Sequence, residues 1–271
     1  MKLIASARLR KAENALYNTR PYLEEIQRLL GRLGDQVDDY VSPLGVEREV
    51  RRVAVIVFGS DDGLCGSFNV MLFKKFQEVL ADFATGLEEP LNVYPVGKKI
   101  RSEMKKAVGI NVMTLPPAFA QKEYSKGVLT IADELIRQYI AGEIDRVEVV
   151  YARFKSIGTQ VMTRMQLLPW KQPEGLQPVV EQAGSKQNHV YIYEPDATSI
   201  LEMLYPLVLR VTLLQTLLEN QTSEQAARIV SMQIANDNAR KLLKTLQLEY
   251  NKLRQQGITA ELLDIAGGAQ E

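Results

Sequence analysis

The sequence predicts an α/β fold in which a parallel-sheet domain is inserted between two long terminal helices that pair as an antiparallel coiled coil. Apolar residues recur at alternating steps of three and four at both ends of the chain. Between the ends, short β-branched runs alternate with amphipathic segments. No glycine interrupts the sequence from Asp196 to Gln256.

At the N-terminus Leu9, Ala12, Leu16, Thr19, Leu23, Ile26, Leu30 and Leu33 form a heptad seam with Thr19 as its one polar member. Pro21 removes one hydrogen bond and predicts a kink or a restart, and the helix is expected to end between Gly31 and Gly34. The C-terminal seam runs from Leu204 to Leu253, interrupted by Gln215, Thr222, Gln225 and Asn236, polar residues that weaken a simple zipper while fixing register. A helix over most of this span would be on the order of 80 Å long at ~1.5 Å per residue. Two unequal seams at opposite ends of one chain pair most economically with each other, although a homodimer zipper is the alternative.

The middle of the chain offers strands at 51–58, 91–96, 109–115 and 146–154, with helices at 69–83, 98–107 and 125–141 between them. Such alternation implies a Rossmann-like parallel sheet covered on both faces. Residues 159–168 read as a further strand, close enough to the preceding one to be its hairpin partner. Residues 169–188, rich in Pro, Gly and Gln, read as a surface connection. The expected organisation is a first shaft helix with its connection over 1–45, an α/β domain over 46–190, and the long second shaft helix over 191–271.

Composition narrows the function. With 46% hydrophobic and 24% charged residues the chain has the balance of a globular protein, and 33 basic residues match 33 acidic ones. No net field therefore recruits nucleic acid. The single cysteine, Cys65, and single histidine, His189, provide neither an internal disulfide nor a His/Cys metal cluster. The apolar run 53–58 is far short of the roughly 20 residues that span a bilayer, so no segment is expected to cross a membrane, and the opening residues read as helix.

The loop Ser60-Asp61-Asp62-Gly63-Leu64-Cys65-Gly66-Ser67-Phe68-Asn69 follows the first strand, where doubly wound folds often bind ligands. It lacks the third glycine of a dinucleotide fingerprint and the Gly-Lys-Ser/Thr of a phosphate loop. Asp61 and Asp62 are expected to favour the positive end of the helix that follows, Cys65 to be a small buried group, and His189 to be a solvated linker residue. The basic patch Lys98, Lys99, Arg101, Lys105 and Lys106 reads as a solvated helix face. Residue types and spacing thus reach an interaction protein with two helical arms, beside the alternative of a Rossmann-like enzyme that uses the 61–69 loop and dimerises through its arms.

Three separated blocks resemble the gamma subunits of F-type ATP synthases. These are residues 1–12 with Arg20-Pro21-Tyr22; the loop 60–69, usually Ser-Asp-Arg-Gly-Leu-Cys-Gly-Gly-Phe-Asn in that family; and residues 223–228, 236–239, 246–252 and 254–262 of the terminal helix. Asp62 and Ser67 depart from the usual Arg and Gly, and Gly257 replaces a small helix-compatible residue at a cost of about 1 kcal/mol relative to Ala. The family's first helix begins about twenty residues before the position of Met1, some ~30 Å of helix, so the resemblance implies a late start or a shortened form.

The resemblance implies a central rotor shaft without catalytic, cofactor or metal sites. Its C-terminal end would stand inside a ring of alpha and beta subunits, and its other end would meet epsilon and the membrane c-ring, on the cytoplasmic face of a bacterial plasma membrane. Arg254, Gln255, Thr259 and Glu261 would make directional coupling contacts with the ring, and Ile258, Leu262, Leu263 and Ile265 an apolar bearing tip. The family-motif loop would comprise Asp61, Gly63, Leu64, Cys65, Gly66, Phe68 and Asn69.

Overall fold

A computed structural model describes residues 2–34, 37, 40–83, 87, 89–171 and 193–268. Helix α1 (Lys2–Gly34) is followed by β1 (Val53–Phe58), α2 (Phe68–Asp82), β2 (Leu91–Val96), α3 (Lys98–Met104) and β3 (Ile110–Val112). A short 3-10 turn (Pro117–Phe119), α4 (Tyr124–Ile140), β4 (Arg146–Ser156), β5 (Thr159–Leu168) and α5 (Ala197–Gly268) complete the order. His189 and most of the 169–188 connection lie outside the described residues.

The five strands form one sheet in the order β3-β2-β1-β4-β5. β1 pairs parallel with β2 and β4, β2 pairs parallel with β3, and β5 returns antiparallel beside β4 as a hairpin. Because β1 is central, all six of its residues are buried. Successive side chains point to opposite faces: Ala54, Ile56 and Phe58 enter a core with α1, α4 and α5, whereas Val53, Val55 and Val57 enter a core with α2 and α3. β3 is shorter than its apolar run, since Pro116 and Pro117 follow closely and can donate no ladder bond.

The α1 seam matches its spacing. Ala5, Leu9, Leu16, Leu23, Ile26, Leu30 and Leu33 are buried, with Ala12 and Thr19 partly so. Pro21 lies on an exposed part of one unbroken helix, which therefore bears only the missing donor. Lys2 Nζ donates to Gln233 Oε1 at 2.6 Å and Arg20 pairs with Glu219 at 3.8 Å, so α1 and α5 run antiparallel within one chain.

α5 spans 72 residues, about 110 Å of helix and longer than the seam alone suggested. Asp196 caps its start by accepting from Ser199 N at 2.9 Å, and Gly257 does not end it. By length and composition α5 is apolar enough to cross a bilayer; here Val208, Leu209, Leu213 and Leu217 pack into the core shared with α1 and α4. From Ile234 onward every residue whose side chain is described is exposed. Leu243, Leu246, Tyr250 and Leu253 continue the heptad seam without a neighbour among the described residues.

Candidate functional site

Two features of α5 bear on function: the junction where it grips the sheet, and the free end beyond Gln233. The junction is built on the motif loop between β1 and α2. Ser60 N donates to Asn69 Oδ1 at 3.0 Å, Asn69 Nδ2 donates to Ser60 Oγ at 2.7 Å, and Ser60 Oγ donates to the Asp62 carbonyl at 2.9 Å. Cys65 is buried under this network, its Sγ 3.6 Å from Asn69 Nδ2. Phe68 anchors the loop in the α2 core, while Gly63 and Leu64 are exposed. Gly66 has φ +62°, and a Cβ there would lie 2.6 Å from Ser231 Oγ, so a side chain would push the loop away from α5.

α5 answers with polar side chains aimed at backbone. Arg228 donates to the carbonyls of Gly63 and Asp62, both at 3.2 Å, and to Glu224 Oε1 at 2.6 Å. Asn220 Oδ1 accepts from Ala152 N at 3.1 Å and its amide donates to the Gly59 carbonyl at 3.4 Å; Ser223 Oγ donates to the Ala152 carbonyl at 2.8 Å. These bonds satisfy backbone groups beyond the end of the β1–β4 ladder, whose last paired residue on β4 is Val150. Burial pushes the Glu224 carboxyl up to about 7; the hydrogen bond and charge of Arg228 oppose this, and Asp61 and Asp62 add to it.

Asp61 differs from its expected role. Its Oδ1 accepts from Lys98 N at 2.9 Å and its Oδ2 from the Tyr124 hydroxyl, so it caps α3 and meets α4 instead of serving α2. The reason is topological: the parallel sheet brings the loop after β1 beside the loop after β2. Burial, then the Asp61 hydrogen bond, hold the Tyr124 hydroxyl above its ordinary range. Asp62 instead pairs with Arg8 of α1 at 3.5 Å. The loop thus ties β1 to α1, α3, α4 and α5.

The predicted coupling residues all lie on the free end. Arg254, Gln255, Thr259 and Glu261 are exposed, as are Ile258, Leu262, Leu263 and Ile265; the Thr259 hydroxyl donates back to the Gln255 carbonyl at 2.8 Å. At about 100° per residue, Arg254, Ile258, Glu261, Leu262 and Ile265 fall within a sector of about 100°, with Gln255 at its edge. Directional and apolar groups therefore interleave on one face, with Thr259 to its side and Leu263 nearly opposite. Among the described residues no group of three or more His, Cys, Asp or Glu side chains could hold a metal ion.

A family model described as ATP synthase matches residues 1–270. The ATP synthase gamma chain of Bacteroides thetaiotaomicron is 37% identical over all of this chain and 92% of its own length. The chain belongs to the ATP synthase gamma chain family. The gamma chain of Xanthomonas oryzae is 35% identical over 99% of this chain and 91% of its own length. In fold, this gamma-family chain is similar to a chain from the central stalk and c-ring structure of Tetrahymena thermophila mitochondrial ATP synthase. There the TM-score is 0.60 at 20% identity, covering 87% of this chain and 97% of that one. A chain of the Euglena gracilis mitochondrial enzyme gives a TM-score of 0.55 at 18% identity, covering 99% and 93%.

Sequence reasoning placed the motif loop and the free end but missed Asn220, Ser223, Glu224, Arg228 and Tyr124 as its partners. A signal was present. Residues 219–225 are polar on every side of a helix whose neighbours are apolar, and Glu224 and Arg228 stand at i,i+4. A polar girdle in a buried helix requires backbone or charge partners.

Proposed function

We propose that this chain carries rotation through the free end of α5 into a ring of alpha and beta subunits and performs no bond chemistry itself. Gamma chains are the central rotor shaft of the membrane-associated ATP synthase. In this reading the 1–45 and 191–271 segments form the shaft, and the 46–190 domain faces epsilon and the membrane c-ring. The complex sits on the cytoplasmic face of a bacterial plasma membrane. The carrying observation is the exposed helix from Ile234 onward, rooted by the Arg228 junction in a packed sheet domain. One asymmetric rod inside a near-threefold ring must contact three copies of one surface differently, and turning it changes which copy is favoured. That differential contact converts an angle into a nucleotide affinity.

Arg254 and Gln255 supply several donors, and charge-assisted bonds contribute about 1.5 to 3 kcal/mol in favourable settings. In vesicles carrying the assembled complex, Arg254→Ala and Gln255→Ala are expected to lower proton-driven ATP synthesis several-fold while leaving the fold and assembly intact. Unchanged synthesis with normal assembly would make both residues solvated surface groups. It would return coupling to the apolar residues Ile258, Leu262, Leu263 and Ile265.

A further inference from the structure

A cavity of about 850 Å³ lies where α1 and α5 cross the carboxyl ends of β1 and β2. The chain leaves β1 toward β2 and β3 on one side and returns to β4 on the other. That reversal of strand order falls between β1 and β4, whereas the cavity opens beside it, over the ends of β1 and β2 at Phe58, Gly59, Val96 and Gly97. Asp61 and Asp62 of the motif loop line this cavity, Asp61 held toward α3 and α4 and Asp62 toward α1.

Charge in the cavity wall is unevenly satisfied. Three of its four acids pair with a cation, Asp62 with Arg8, Glu123 with Lys126 at 3.4 Å and Glu224 with Arg228, while Asp61 accepts from the neutral Lys98 N and Tyr124 hydroxyl. Lys11, Lys98 and Lys122 also line the cavity, and none has an acidic partner among the described residues. They arrive from three elements: α1, the start of α3, and the segment before α4. The first turn of α4, a 17-residue helix, shares that wall and adds the positive end of its dipole. The apolar part of the lining comprises Ala12, Ala15, Phe58, Val96, Leu217 and Leu218, of which Ala12 and Ala15 keep partly exposed side chains. The volume falls within the range of small-molecule sites.

We propose that this cavity binds a phosphate-bearing organic anion of mononucleotide size, its phosphates held by Lys11, Lys98 and Lys122 and its body by the apolar wall. The absence of a glycine-rich phosphate cradle makes the lysine charges, not backbone amides, the main source of affinity, so binding falls steeply with salt. The event is binding without turnover. Since the walls come from both α1/α5 and the sheet, an occupant braces the root of the shaft against its domain.

The test uses the full chain purified alone, free of the nucleotide sites of catalytic partners. Calorimetric titration with ADP and, separately, inorganic pyrophosphate is run at low and high salt. Saturable binding of one ADP per chain is expected, with pyrophosphate clearly weaker. The Lys11→Ala/Lys98→Ala/Lys122→Ala variant should bind ADP at least tenfold more weakly, whereas Lys105→Ala/Lys106→Ala, on the outer end of α3, should match the parent. All these lysines are exposed, and an unchanged circular dichroism spectrum confirms folding. No saturable ADP binding, or equal affinity in the triple variant, would overturn the site; equal affinity for ADP and pyrophosphate would overturn the apolar subsite.

Discussion

Replacing Arg228 with Ala removes three contacts at once: two backbone carbonyls of the motif loop and the Glu224 carboxylate. Arg228 is 7% and Glu224 8% exposed, so water replaces little of what is lost. Stripping one partner from a buried ion pair costs about 3 to 5 kcal/mol when the remaining charge stays ionised. Glu224 has an escape, which is to take up a proton. Its folded value of about 7 already lies above the ordinary 4.5, so the folded state binds more protons than the unfolded state between those limits. Stability from this group is therefore fullest below about pH 4.5 and is lost as pH rises through 7, by a total of about 3 kcal/mol. Without Arg228, which lowers the value, the loss extends to higher pH. At pH 6 the variant should hold Glu224 neutral and forfeit chiefly the carbonyl bonds, about 1 to 3 kcal/mol; at pH 8, where the parent's Glu224 is ionised and paired, the cost should rise by up to about 1.4 kcal/mol. Urea unfolding of the isolated chain can follow Trp170, which packs edge-on against Tyr205 at 5.4 Å. Glu224→Gln and the double variant complete a cycle, and the double should cost less than the sum of the singles. A cost under about 1 kcal/mol at both pH values, or strict additivity, would refute the junction as the element that seats the shaft.

Two further outcomes follow from packing and backbone. Gly97 has φ +122° and a Cβ there would stand 2.9 Å from the Gly59 carbonyl carbon; with backbone strain of about 1 to 3 kcal/mol before any clash, Gly97→Ala should unfold the domain more readily in urea than Gly66→Ala, which meets a movable serine. Leu16→Ala in the paired seam should cost about 2 to 5 kcal/mol, whereas Leu246→Ala on the exposed continuation should change stability of the isolated chain by under ~0.5 kcal/mol. Equal effects at the two leucines would mean that the free end is buried in solution.

The seam of α1 was legible almost residue by residue, because a heptad repeat states both the element and its buried face. The sheet was legible as elements: β1 is a run of apolar residues with no polar face, which only a central strand buries on both sides. Two things were not legible. The C-terminal seam predicts burial from Leu204 to Leu253, yet its pairing with α1 ends near Gln233, since periodicity shows that a face is apolar without showing what covers it. The Arg228 junction joins residues more than 150 positions apart, and local pattern carries no such distance. Asp61 shows the same limit: adjacent acids before a helix suggested a cap for α2, and the fold placed α3 within reach instead.

Rotation observed directly is the sharpest test of the shaft. Val108 is 90% exposed on the α/β domain, so Val108→Cys offers a handle for a bead once the chain is assembled with alpha and beta subunits fixed to a surface. Added ATP should turn the bead continuously in one direction, pausing at three positions per turn, and the motion should stop when ATP is removed. Sustained ATP hydrolysis by assemblies in which the Val108-linked bead stays fixed would contradict the account.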